Sequence, residues 1–393
     1  MLKSDFNFPF SNSMDNLIES NTSSIFNLAK SLENQGRSVI HLEIGEPDYH
    51  IPKITIDSVK SSIDNNQTNY VLGQGLFELR REIANYYKRR FNIDVNPKKE
   101  LIVTPGAKFG LYLTLYSLIN PGDEVIIIKP SWPTYSNLVN LFGGKIKEFP
   151  LSFKINQDIT IFKSLLSEKT KLLIINFPNN PTSIMVNKNY LKNLVQIILA
   201  YRNLIIISDE IYMELTHDGK VNSMIQFSDI INRLVIISGF SKSFSMTGFR
   251  LGYVLAPFQL IKVLLKLVSN TITCVPPFIQ MAAVHTLQLD EHIINARKFY
   301  KEKMEEVIKF LKDKDNISFP FVPNSSFYLF FKVKNGYESL ALDILNKTGV
   351  ATIPGIAFGE NYKNFLRISI TRDTDQLFKG ISKILSFIEK NLT

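Results

Sequence analysis

Five short runs stand out in the middle of the chain because they are apolar and β-branched almost throughout: LIVT (101–104), EVIIIK (124–129), KLLIINF (171–177), LIIIS (204–208) and LVIIS (234–238). They do not alternate with polar residues, which marks strands covered on both faces. The segments between them are long enough for crossover helices. One such helix opens straight after TPG (104–106), runs through AKFGLYLTLYSLIN and stops at PGD (121–123). This is the βαβ rhythm of an α/β unit with a mostly parallel sheet. Beyond about residue 290 the texture changes. ARKFYKEKMEEVIKFLKDK (296–314) carries apolar residues at helical spacing, FYLFFKV (327–333), VATIP (350–354) and FLRISIT (365–371) read as strands, and DQLFKGISKILSFIEKNL reads as a closing helix. A separate, smaller α+β domain is expected there. The Ser- and Asn-rich first ~25 residues read as an arm. The expected division is 1–50 for the arm and part of the small domain, 51–288 for the large domain and 289–393 for the small one.

Composition narrows the classes. The 393 residues are 45% hydrophobic, 21% charged and 11% aromatic, ordinary values for a globular protein with a large core. The formal charge of +9 is not concentrated: YKRR (87–90) and NPKKE (96–100) are short and lie among acids, so nucleic-acid binding is not expected. Arg80 and Arg81 sit in a helical run and read as a solvated face. The single cysteine, Cys274, excludes an internal disulfide and reads as a small buried residue. The five histidines lack the HxH or HxxxH spacing of a metal site. No secretory h-region opens the chain and no run of 18 apolar residues occurs, so no membrane association and a cytoplasmic location are expected.

The residues just past each buried run carry the chemistry. In an open parallel sheet the carboxyl ends of the strands share one edge, where ligands bind. Five strand ends therefore bring Gly106, Trp132, Asn180, Asp209, Tyr212 and Lys242 to one crevice. The set offers an amine, a carboxylate, a phenol, an amide, an aromatic plate and a glycine at a helix start. Pyridoxal phosphate uses all of them: a Schiff-base lysine, a carboxylate for its ring nitrogen, donors for its phenolic oxygen, a stacking partner, and N–H groups with an arginine for its phosphate.

LEIGEPDY (42–49), NYVLGQGLFELRREI (69–83), TPGAKFGL (104–111), PSWPTY (130–135), NFPNNPT (176–182), SDEIY (208–212), FSKSFSMTGFRLGY (240–253), PGIAFG (354–359) and LRIS (366–369) run nearly end to end. On these motifs the chain resembles the class I/II aminotransferases, pyridoxal-phosphate enzymes of fold type I. The resemblance implies a seven-stranded, mostly parallel sheet flanked by helices, and a homodimer with active sites at the subunit interface. It implies that Lys242 forms the Schiff base and moves the substrate proton. Asp209 would pair with the ring nitrogen, and Tyr212 and Asn180 would face the phenolic oxygen. Trp132 would stack on the ring. Arg250, with Ser241 or Ser238, and the N–H groups of Gly106, Ala107 and Lys108 would hold the phosphate. Tyr70 would reach the neighbouring subunit's phosphate. Arg367, assisted by the Gly45 backbone, would clamp the substrate α-carboxylate, with Trp132 and Asn180 beside it.

Three positions depart from the usual pattern. Gly239 stands where relatives often carry a hydroxyl, which leaves Ser238 and Ser241 as alternatives for the phosphate. Ser183 comes after NNPT where many relatives have glycine, and Ser325–Ser326 replace a common Gly-Ala pair. The expected reaction is ping-pong transfer of an amino group from an amino acid to a 2-oxo acid. Lys108 favours aspartate or glutamate, because in relatives that use aspartate a lysine in this turn receives the distal carboxylate. Aromatic, alanine-type and specialised biosynthetic substrates are the alternatives, as are β-lyase, decarboxylase or oxidase chemistry in the same fold. A ligand-sensing regulator of this fold needs an attached winged-helix segment, for which the stretch ahead of LEIGEPDY is too short.

Overall fold

In a computed structural model, which describes residues 9–14, 17, 21–152 and 155–392, thirteen strands are formed among the described residues. They are β1 (Ile40–His41), β2 (Leu101–Thr104), β3 (Glu124–Lys129), β4 (Lys145–Pro150), β5 (Thr170–Asn176), β6 (Ile205–Asp209), β7 (Leu234–Gly239), β8 (Gly252–Leu255), β9 (Ile317–Ser318), β10 (Tyr328–Val333), β11 (Val350–Ala351), β12 (Ile353–Pro354) and β13 (Phe365–Ser369). Seven form one sheet in the order β2-β8-β7-β6-β5-β3-β4. Only β8 runs against its neighbours; β3, β4, β5, β6 and β7 pair in parallel. All five apolar runs are strands of this sheet, so the fold is α/β with a mixed, largely parallel seven-stranded sheet.

The two-residue period of the strands sorts their side chains into two cores. Ile126 and Ile128, Leu173 and Ile175, Ile206 and Ile236 pack on one face. Val125 and Ile127, Leu172 and Ile174, Ile207, Val235 and Ile237 pack on the other. Burying both faces is why these strands read as unbroken apolar runs. Two strands are not evident in the pattern. KIKEFP forms β4 at the sheet edge, with most of its side chains exposed or half-buried. GYVL forms β8, directly after the loop that carries Lys242 and Arg250.

The second part builds a third core from the helices Asp290–Leu311 and Thr374–Asn391 against β10 and β13. Its four-stranded sheet has the order β12-β13-β10-β9. VATIP is not one strand. β11 pairs in parallel with β1, whereas β12 pairs with β13. The helix Asn21–Asn34 buries Ile25, Ala29 and Leu32, so the polar N-terminal stretch leads into a packed element.

Arg80 contradicts the solvated-face reading. It is 3% exposed; its Nε donates to Gly75 O at 3.2 Å and its Nη1 to Pro97 O. The guanidinium ties the loop before its own helix to the loop after it, while Arg81 is exposed as expected.

Candidate active site

The carboxyl ends of β3, β5, β6 and β7 open onto a cavity of about 540 Å³. Each strand end is turned by local chemistry. Asp209 ends β6 and its Oδ1 accepts the N–H of Ile211 at 3.2 Å, an Asx-type turn that brings Tyr212 to the cavity wall. Asn176 ends β5. Its Oδ1 accepts the Asn180 N–H at 2.9 Å and its Nδ2 donates to Asp209 O at 2.9 Å, locking the NNPT loop to the neighbouring strand. Trp132 caps the helix Pro133–Leu141, whose first residue is the proline that suits that position. Gly106, at φ +80°, lets β2 turn into the helix Ala107–Leu118. A Cβ at this position would lie 2.8 Å from an Arg250 guanidinium nitrogen, so glycine keeps the cradle between that helix start and Arg250 open.

The cavity wall contains Gly45, Ala107, Lys108, Trp132, Asn180, Asp209, Tyr212, Ser241, Lys242, Arg250 and Arg367. The structure thus brings together residues spread from 45 to 367. Gly106 stands beside Arg250, just outside this lining. Ser238 and Ser241 separate. Ser241 faces the cavity, whereas Ser238 is buried behind β7 with Tyr86, Glu210 and Tyr253, its hydroxyl pointing to Glu210 O. Tyr70 is 85% exposed on the surface and lies outside the cavity of its own chain.

Lys242 Nζ donates to Gly45 O at 2.7 Å. Asp209 is fully enclosed; burial raises its pKa to about 6, although Tyr135, donating to Oδ2 at 2.7 Å, and the Ile211 N–H favour the ionised form. A buried carboxylate in this state calls for a cation, which a protonated ring nitrogen supplies. Arg367 is also fully buried, and burial lowers its pKa. It donates to Asn180 Oδ1 at 3.2 Å and to Glu43 O and stacks over the Tyr328 ring at 4.4 Å, while its Nε has no hydrogen-bond partner among the described residues. An orphaned guanidinium donor in a cavity wall fits an incoming carboxylate. Lys108 stands 4.9 Å over the Trp132 ring. Desolvation first, then the charges of Arg250 and Lys242, hold its pKa below the ordinary lysine value, although its side chain reaches solvent at the cavity mouth.

Several lining residues escaped the sequence reading. Tyr135 lies within PSWPTY at i+3 from Trp132, a spacing that places both on one helix side. Asn176 is the last residue of an apolar run, the position that marked Asp209. Tyr328 was hidden in the aromatic run FYLFFKV, and Phe26 and Asn27 lay in a segment read mostly as an arm; no local signal distinguishes them. Among the described residues no His, Cys, Asp and Glu cluster is suited to a metal, and no helix is long and apolar enough to cross a membrane.

The fold and the donor set define a fold type I enzyme that uses pyridoxal phosphate. The sequence profile of the aminotransferase class I and II family matches residues 37–384, and the chain belongs to that family. It is 35% identical to a (5-formylfuran-3-yl)methyl phosphate transaminase of Methanocaldococcus jannaschii, over 93% of this chain and 96% of that one. It is 37% identical to a probable aspartate aminotransferase of the same organism, again over 93% and 96%. The crystal structure of Thermotoga maritima aspartate aminotransferase superimposes with a TM-score of 0.88 at 32% identity, covering 97% of this chain and 100% of that one. The protein is therefore a pyridoxal-phosphate-dependent aminotransferase acting on an amino acid and a 2-oxo acid.

Proposed function

We propose that the enzyme takes its amino group from an acidic amino acid, aspartate or glutamate, and works as a homodimer. One observation carries the substrate reading: Lys108 is a cation at the cavity mouth that, among the described residues, forms no ion pair with a carboxylate. Arg367 and Arg250 have anions to serve at the α-carboxylate and the phosphate. Lys108 is left for a third anion, the distal carboxylate, which would offset the desolvation that chiefly lowers its pKa and the smaller effect of the neighbouring positive charges.

In this reading Asp209 holds the ring nitrogen of the cofactor, Tyr212 and Asn180 its phenolic oxygen, and Trp132 its face. Arg250, Ser241 and the N–H groups opening the helix Ala107–Leu118 hold its phosphate. Once bound, pyridoxal phosphate supplies the electron sink that makes loss of the α-proton feasible. Lys242 would hold the cofactor covalently, and its amine, when free, would be the base that moves the substrate α-proton. The Gly45 carbonyl, 2.7 Å from Nζ, orients that amine. Arg367 fixes the α-carboxylate and hence which substrate bond faces Lys242. Tyr70 is exposed on the surface, from where it would reach the phosphate held by a second copy of the chain.

The test is Lys108→Ala. Loss of one charge-assisted contact is worth about 1.5–3 kcal/mol, so kcat/KM for aspartate should fall roughly 10- to 100-fold, with alanine and phenylalanine little changed. Equal losses across the panel would remove Lys108 from substrate selection.

A further inference from the structure

Tyr328 is 2% exposed at the start of β10, in the cavity wall, and the proposed reaction gives it no part. Its hydroxyl lies 2.9 Å from that of Tyr212, with the two rings edge to face at 5.7 Å. Its ring carries the Arg367 guanidinium at 4.4 Å. Its hydroxyl also occupies the space above Gly45: a Cβ there would come within 1.9 Å of it. One side chain therefore touches the phenol on the cofactor side, the clamp on the substrate side and the backbone that orients Lys242.

The backbone of Tyr328 is held as deliberately. Its N–H donates to Ser183 Oγ at 2.9 Å. Ser183 sits at φ +54°, a conformation uncommon for a residue with a Cβ, and is fully buried. Its carbonyl accepts from Ser325 Oγ at 2.7 Å and from Asn324 N at 3.0 Å. The serine after NNPT, bonded by Asn324, Ser325 and Tyr328, thus forms a clasp that fixes where β10 begins.

Proton counting gives the clasp a purpose. Between two neutral phenols only one hydrogen can lie on the shared axis. If Tyr212 spends its hydrogen on Tyr328, it has none for the cofactor. If Tyr328 donates, Tyr212 is free to donate into the cavity, and its oxygen is polarised by the bond it accepts. We propose that Tyr328 is a positioning residue that donates to Tyr212 and thereby sharpens the hydrogen bond Tyr212 makes to the phenolic oxygen of bound pyridoxal phosphate. The inference rests on the reading that Tyr212 faces that oxygen. Chained hydrogen bonds reinforce one another by roughly 10–30% each, so the effect acts through Tyr212 and vanishes without it.

The experiment is a spectrophotometric pH titration of the visible band of holoenzyme, in which the cofactor is held on Lys242. Stabilising the phenolic oxygen as an anion lowers the pKa of that band. Tyr328→Phe keeps the ring, the packing and the stack under Arg367 and removes only the hydroxyl. It should raise the band's pKa by about half a unit, on the scale of such reinforcement. Tyr212→Phe should raise it further, and Tyr212→Phe/Tyr328→Phe should match Tyr212→Phe alone. No shift in Tyr212→Phe would overturn the placement of Tyr212 itself. A shift there with none in Tyr328→Phe, or a double variant in which the two shifts add, would overturn the inference about Tyr328. Should Tyr328→Phe fail to fold, Ser183→Ala loosens the clasp and must raise the pKa in the same direction; an unchanged titration overturns the proposal equally.

Discussion

Asp209 sets a pH signature that belongs to one side chain. In the cofactor-free protein its pKa is raised from 3.8 to about 6 by burial. A carboxyl group whose native pKa is raised binds protons more tightly folded than unfolded. The native state therefore gives up stability as pH rises from about 4 to about 6, at about 1.4 kcal/mol per pKa unit and about 3 kcal/mol in all. Denaturant unfolding of the cofactor-free protein across this range should show that decline, and Asp209→Asn should lack it. Parallel curves would mean that the carboxylate is already compensated. The residues around Asp209 differ in how legible they were. Lys242, Asn180 and Tyr212 announce themselves because polar groups ending apolar runs are conspicuous. Tyr135 and Tyr328 do not, because a tyrosine among apolar residues reads as core until its hydroxyl is seen to meet another. Ser238 and Ser241 could be separated only by the facing of β7 and the loop after it, which the spacing leaves open.

At the scale of elements, the five central strands were legible because burial on both faces imposes a composition that few other structures need. Edge strand β4 carries no such demand and mixes lysine and glutamate with apolar residues. β8 is short and begins at a glycine. The helix Phe77–Phe91 is the instructive case. FELRREIANYYKRRF is so rich in charge that no pattern singles out Arg80, whose burial depends on two loops, at Gly75 and Pro97, arriving beside it. Arg80→Ala should remove two hydrogen bonds from a charged donor and lower stability by about 3 kcal/mol or more, since such bonds contribute about 1.5–3 kcal/mol each. Arg81→Ala should fall within about 0.5 kcal/mol of wild type. Equal effects in denaturant titrations would return Arg80 to the surface.

At the scale of the whole molecule, the cavity is assembled from segments more than three hundred residues apart, among them Gly45 and Arg367. β13 brings Arg367 in from the smaller sheet, while the larger sheet contributes Asp209 and the loop carrying Lys242. The change of texture near residue 290 is what led to the expectation of a separate smaller domain there. The pairing of β1 with β11, which carries the segment around Gly45 to its place, was not readable, because two-residue strands leave no pattern. Tyr70, on the surface, makes the assembly testable. Tyr70→Phe should weaken pyridoxal phosphate binding roughly tenfold, the scale of one hydrogen bond to a charged group, in a protein that sediments as a dimer. Unchanged affinity, or a monomer with full activity, would sever Tyr70 from the phosphate.

The central claim, amino transfer from an acidic donor, is tested most directly by a half-reaction. Holoenzyme is mixed with a single amino acid and no acceptor, and the visible band is followed while the product is identified. Aspartate and glutamate should discharge the band fastest, each leaving one equivalent of its 2-oxo acid and no ammonia, with alanine and phenylalanine slower by about tenfold or more, the scale of one charge-assisted contact. Release of free ammonia, or faster conversion by phenylalanine than by aspartate, would contradict the account.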